Sequence, residues 1–91
     1  MFLVVSYDIP DDRRRARIAR LMEGYGARVQ YSVFECNLTE PQVSEMAGRL
    51  RKLIVLREDS IRFYSLCRGD VRRIRCLGGR PLTRDALVYV H

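Results

Sequence analysis

Asp8 is the residue of this chain whose type and place could do chemistry. It closes the apolar run Phe2-Leu3-Val4-Val5-Ser6-Tyr7, directly ahead of the break at Ile9-Pro10. The ends of strands that turn into helices are where α/β-type folds commonly place functional groups. A carboxylate there can bind Mg²⁺, which takes one or two carboxylates and completes its shell with waters and substrate phosphates. Such an ion polarises a phosphate or lowers the pKa of a bound water. The competing reading, of equal standing on the residues alone, is that Asp8 caps the strand-to-helix turn through an Asx-type bond. The remaining acids are dispersed: Asp11 and Asp12 sit where a helix begins, and Glu23, Glu40, Glu45 and Glu58 read as solvated helix charges.

Other chemistries lack their parts. His91 is the sole histidine and lies at the end of the sequence, so no Ser-His-Asp set can form, and no Gly-rich phosphate loop precedes a helix. Cys36, Cys67 and Cys76 are odd in number, far apart and without a CxxC pair, which argues against a disulfide framework or a zinc site. They read as buried thiols in a reducing cytoplasm. Metal-assisted phosphodiester hydrolysis is the reaction this inventory supports. One acid per chain is a thin metal site, but two copies of Asp8 could converge across a two-fold axis.

Charge points the same way. Seventeen Lys and Arg against eleven Asp and Glu give a formal +6, and every cation except Lys52 is an arginine. Guanidinium is the planar, five-donor group suited to bidentate phosphate contact, so a nucleic-acid partner is favoured over a merely basic surface. The opening Phe2-Leu3-Val4-Val5 is too short for a signal-peptide core and has no basic region before it. Nothing approaches a membrane span, so a cytoplasmic protein is expected, with no membrane partner.

The elements that must position these groups follow from periodicity. The 91 residues suffice for one domain, taken as 1–91, and 47% are hydrophobic, as in globular proteins. Phe2 to Tyr7 reads as a strand buried on both faces. With Asp11 as N-cap and Asp12 against the helix dipole, Ile18, Leu21, Met22 and Tyr25 form one helical stripe. Gly24 and Gly26 can supply a positive-φ helix end. Arg28 to Cys36 reads as a single alternating strand. Thr39 and Gln42 have capping-box spacing with Pro41 in the first turn, and Val43, Met46, Ala47, Leu50, Leu53 and Ile54 hold the helical period. Ser60 to Leu66 reads as a strand, Arg68-Gly69-Asp70 as a turn, and Val71 to Leu77 as another strand. Gly78 to Pro81 reads as a loop and Ala86 to Val90 as a final short strand.

The order is taken as βαββαβ plus a short C-terminal fifth strand, an α+β, ferredoxin-like arrangement with two helices on one face of an antiparallel sheet. Tyr31, Phe34, Phe63 and Tyr64 add large apolar residues to both faces. The second face therefore needs a cover, and a second copy is the cheapest candidate. A homodimer with sheets packed face to face is expected, with the last strand able to cross to the partner. The same element order occurs in single-stranded RNA-binding modules. Ser60 to Leu66 lacks their Gly-aromatic core motif, which leaves that reading as a lesser alternative.

Val4-Val5-Ser6-Tyr7-Asp8-Ile9, then Asp12-Arg13-Arg14-Arg15, then Tyr25 through Glu35 with its Gly-x-x-Val-Gln-x-Ser-Val-Phe-Glu stretch, and finally Asp59 through Leu66, resemble the CRISPR-associated Cas2 family. The resemblance implies a ferredoxin-like homodimer in which Asp8 of both chains binds one Mg²⁺ at the interface. It implies a part in antiviral defence through spacer acquisition, as a scaffold between dimers of the Cas1 integrase that grips foreign DNA. Some members are described as metal-dependent endonucleases on single-stranded RNA or duplex DNA, so the chain is expected to be an endoribonuclease or deoxyribonuclease. In others nuclease activity is dispensable, which keeps a non-catalytic architectural dimer as the alternative. Carried onto this sequence, Asp8 is the catalytic metal ligand and Tyr7, Ser32 and Phe34 shape the site. Arg13, Arg14, Arg15, Arg17 and Arg20 are the candidate phosphate contacts.

Overall fold

A computed structural model describes residues 1–78 and 82–90. Four strands and four helices follow in the order β1 (Phe2–Asp8), α1 (Asp12–Glu23), β2 (Ala27–Gln30), β3 (Val33–Asn37), α2 (Glu40–Leu53), β4 (Ser60–Leu66), α3 (Arg68–Arg72) and α4 (Arg84–Val90). The strands make one antiparallel sheet in the order β2-β3-β1-β4. The α+β ferredoxin-like βαββαβ order is therefore present, with two helices after it.

Both main helices begin as their sequences dictate. Asp11 caps α1 by accepting from the Arg14 backbone N–H at 2.8 Å. Thr39 and Gln42 form the reciprocal capping box of α2. The helices pack on the sheet face that carries Leu3, Val5, Tyr7, Phe34 and Cys36, and Ile18, Met22, Met46 and Leu50 complete a closed apolar core. Each such large side chain contributes roughly 1.5–3 kcal/mol by leaving water.

Of the three cysteines expected to be buried only Cys36 is, Cys67 and Cys76 being exposed, and four expectations about the elements need correction. The Arg28–Cys36 segment is two strands, not one: β2 and β3 form a hairpin about Tyr31 and Ser32, with an irregularity between Arg28 and Gln30. This hairpin supplies the second strand between the helices that the βαββαβ order requires and the single strand did not provide. No Gly, Asn or Asp marks that turn, and no non-glycine residue there takes a positive φ, so the usual hairpin signals are missing. Neither Gly24 nor Gly26 uses a positive φ, the only such glycine among the described residues being Gly78. Gly26 is instead required by close approach, since a Cβ there would lie 2.3 Å from the Glu35 carbonyl oxygen and 2.5 Å from the Cys36 sulfur.

The third correction concerns Arg68 to Leu77, where the expected turn and strand are a short helix, α3, and irregular chain. Asp70 accepts from the Cys67 backbone N–H at 3.3 Å and so starts that helix. Val71 and Ile74 both pack toward Phe2, at the i, i+3 spacing of a helix. The fourth is the C-terminal fifth strand, which is the helix α4. Thr83 caps it, its hydroxyl oxygen accepting from the Ala86 N–H at 3.1 Å, and Ala86 and Tyr89 again have the i, i+3 spacing. Of the expected Gly78–Pro81 loop, residues 79–81 lie outside the described residues, as does His91.

These two C-terminal helices change the account of the second sheet face. Phe2, Val71 and Ala86 are fully buried together, with Val4, Leu66, Ile74, Leu82, Tyr89 and Val90 around them. The chain thus covers one end of that face itself. The other end stays open: Ser6, Arg62 and Ser60 share it by register, and Tyr64 is 47% exposed.

Candidate active site

β1 is the inner strand of the sheet, paired with β3 on one side and β4 on the other, and Asp8 is its last residue. The carboxylate emerges at the sheet's end, exposed. The turn that follows does not use it. Asp11 performs the N-capping, and Arg15 secures the turn by donating to the carbonyls of Ile9 at 2.9 Å and Pro10 at 3.4 Å. Arg15 also pairs with Asp12. Asp8 lies outside every ion pair among the described residues, so no neighbouring cation holds its carboxylate.

Beside Asp8 opens a cleft of about 370 Å³ bordered by Tyr7, Asp12, Arg15, Arg28, Tyr31 and Ser32. Its floor is rigid. Tyr7 is buried and stacks on Phe34, ring centroids 6.3 Å apart. The Tyr7 hydroxyl donates to the Tyr31 carbonyl at 3.3 Å and accepts from Arg28 Nη2 at 3.5 Å. Arg28 lies 5.5 Å over the Phe34 ring, a cation–π contact. The Ser32 carbonyl accepts the Tyr7 backbone N–H at 3.0 Å, which fixes the strand up to the residue before Asp8. Tyr7 and Ser32 border the same cleft as Asp8, while Phe34, opposite Val5, lies beneath Tyr7 as a buried support.

Arg28 and Tyr31 were missed by sequence reasoning. Taken as one strand, Arg28 to Cys36 puts Arg28 far from Phe34, whereas the hairpin makes them direct cross-strand partners. The signal was present in the motif itself, two residues after Gly26.

The arginines of α1 divide. Arg13, Arg17 and Arg20 are exposed and free of ion pairs among the described residues. Arg14 is not, and its expected role as a phosphate contact is corrected. Its Nε and Nη2 grip both oxygens of the buried Asp59 at 2.5 and 2.8 Å, and Nη2 reaches Glu58 at 3.0 Å. Asp59 also accepts the Val55 N–H at 2.8 Å. The hydrogen bonds from Arg14 hold the Asp59 carboxyl below its usual range, and the guanidinium holds its own proton more firmly in return. This clamp ties the start of α1 to the loop before β4.

Among the described residues no three His, Cys, Asp or Glu side chains gather as a metal set. One chain offers Asp8 as an unpaired carboxylate, with Asp12 of the same cleft engaged by Arg15. That donor set suits a hard cation taking few protein ligands and many waters, once a second carboxylate arrives from elsewhere. No helix among the described residues is long and apolar enough to cross a membrane.

Comparison with known proteins places these features. Residues 1–74 match the family described as CRISPR associated protein Cas2. The chain is 53% identical over 85 residues to a CRISPR-associated endoribonuclease Cas2 of Synechocystis, covering 92% of each. Among solved structures it is similar to a hypothetical protein from Thermus thermophilus, with a TM-score of 0.80 and 42% identity over 89% of this chain and 94% of that one. It is also similar to a chain of a partial Cas6-RT-Cas1–Cas2 complex, with a TM-score of 0.77 and 30% identity over 91% of this chain and 97% of that one.

Proposed function

From the premise that this chain belongs to the CRISPR-associated Cas2 family, we propose that it is a homodimeric, Mg²⁺-dependent endonuclease on RNA or DNA. In the same reading it scaffolds a Cas1 integrase during insertion of new spacers. The observation that carries the nuclease is the exposed, unpaired Asp8 beside a cleft whose other polar groups are fixed.

Two Asp8 carboxylates, one from each copy, would hold one Mg²⁺ at the interface. The ion would supply charge stabilisation at the phosphate and a more acidic bound water. The chain's own residues orient the substrate. Arg28, braced on Phe34 and Tyr7, presents its guanidinium at the cleft, and the exposed Arg13 is the neighbour of Asp12 on the cleft's border. Tyr7 and Phe34 keep the floor dry, which strengthens each charge contact made above it.

The architectural reading has its own observation, the exposed Arg13, Arg17 and Arg20 on α1, which make no ion pair among the described residues. It predicts the same dimer and the same salt-sensitive binding, without cleavage. Asp8→Ala separates the two. In the nuclease reading the variant loses Mg²⁺-dependent cleavage by a factor of about 100 or more while still binding oligonucleotides and supporting integration. A purified wild-type dimer that cleaves neither RNA nor DNA across pH and divalent metals would sink the nuclease and leave the scaffold.

A further inference from the structure

Between α1 and α2, on the helical side of the sheet, runs an open groove of about 540 Å³. Arg17 and Arg20 of α1 and Arg49 and Lys52 of α2 form its walls, over a floor of Leu21 and Leu53. Each helix contributes its pair at an i, i+3 spacing, so both members of a pair stand on one helix face. All four cations are exposed, and none makes an ion pair among the described residues. Arg49 donates one N–H to the Tyr25 hydroxyl at 3.0 Å and lies 5.7 Å from that ring's centre, which holds it upright with the rest of its fork free. Glu45, four residues before Arg49, accepts from the same hydroxyl and forms no ion pair among the described residues, its charge reaching Arg49 only at longer range. Glu23, three residues from Arg20, forms no ion pair with it.

Four like charges facing one another across a groove repel, and on a helix such arrangements cost stability. A polyanion lying between them offsets that repulsion. We propose that this groove holds the sugar–phosphate backbone of a nucleic-acid strand, at a contact separate from the Asp8 cleft. The inference rests on the nucleic-acid reading above and adds to it a second place of contact, with Arg49 and Lys52 as recognition residues. An acidic protein helix fits less well, because docking a helix needs a row of apolar anchors and the floor offers only two half-buried leucines. Binding must then come from charge, which is how a phosphate backbone is held through counterion release. Three of the four walls are arginine, whose fork matches phosphate oxygens. The groove and the cleft both use α1 but on different faces of it, Asp12, Ala16 and Ala19 bordering the cleft and Arg17, Arg20 and Leu21 the groove, so the two contacts are separate.

The test uses the full chain, a fluorescein-labelled DNA duplex and a labelled single-stranded RNA, with fluorescence anisotropy from about 50 to 200 mM salt. The double variant Arg49→Gln/Lys52→Gln should lower the slope of log affinity against log salt by roughly 1–2 for at least one probe. The charge-preserving pair Arg49→Lys/Lys52→Arg should keep the wild-type slope, which separates charge from folding. Wild type that binds while the double variant keeps its slope overturns the groove and leaves the nucleic-acid reading standing. Wild type that binds neither probe overturns that reading and the groove with it. A double variant impaired only toward poly-glutamate, with both oligonucleotide slopes unchanged, would assign the groove to an acidic protein segment and overturn the proposal.

Discussion

At the scale of single residues, exposure and pairing decide which charged groups serve structure and which stay available. Asp8 and Arg14 were both expected to serve a site, yet Arg14 is clamped by two carboxylates and Asp8 joins no ion pair among the described residues. The clamp has a pH signature. Because Asp59 titrates below its unfolded value, its stabilising contribution is complete above about pH 4 and is lost as pH falls through the lower folded value. Thermal melts from pH 7 to pH 3 should show wild type losing stability at the acid end. Asp59→Asn should start lower at neutral pH and fall less steeply in acid. Cys36 makes a second case. Burial first, then the nearby Asp85 and Glu35 charges, pushes its thiol up to about 12. Under native conditions at neutral pH a thiol reagent should therefore label Cys67 and Cys76, which are exposed, and spare Cys36 until the protein unfolds.

At the scale of elements, β1, α1, α2 and β4 were legible because local chemistry and periodicity agree there. Asp11 and Thr39 start their helices, and the apolar stripes of α1 and α2 face the same sheet side. The failures are where local signals are weak or shared. The β2–β3 hairpin turns at Tyr31 and Ser32, residues that ordinarily signal continuation, and it is the strand β1 passing alongside that fixes the break. In α3 and α4, β-branched and aromatic residues suggest strands, but the contacts with Phe2 and Leu66 decide for helix. Propensity of this kind is a weak prior that tertiary packing overrides. The candidate site suffered from the same error, since Arg28 became visible only once the hairpin placed it over Phe34. Gly26 is the element-scale test of that hairpin. Gly26→Ala must push its methyl into the β3 backbone and the Cys36 sulfur. Denaturant titration should show a loss of roughly 1–3 kcal/mol, the usual range for overpacking, and a reactive Cys36 in the variant.

At the scale of the whole molecule, the sheet has a helical side and a side that is only half covered. The uncovered half, with Tyr64 and Arg62 on β4 and Ser6 and Asp8 on β1, is the surface on which a second copy would bring two Asp8 residues together. Sedimentation equilibrium should find a dimer at low micromolar concentration. Tyr64→Asp should shift it toward monomer without changing the circular dichroism spectrum. A monomeric wild type would count against the shared metal site and for a module that uses its open sheet alone.

The covered half carries a different consequence. Phe2 lies in β1, yet it is enclosed by Val71, Ala86 and Tyr89 from far along the chain, the Tyr89 ring 5.7 Å from its own. The sheet around it also waits, because β1 needs β4 as a neighbour. Contacts between such distant parts of a chain form late, and apolar surface exposed meanwhile invites aggregation. The outer face of β1 therefore stays unsatisfied until α3 and α4 have docked on it. A chain cut before Arg84 should bind a hydrophobic dye at the surface around Phe2, and the full chain should not.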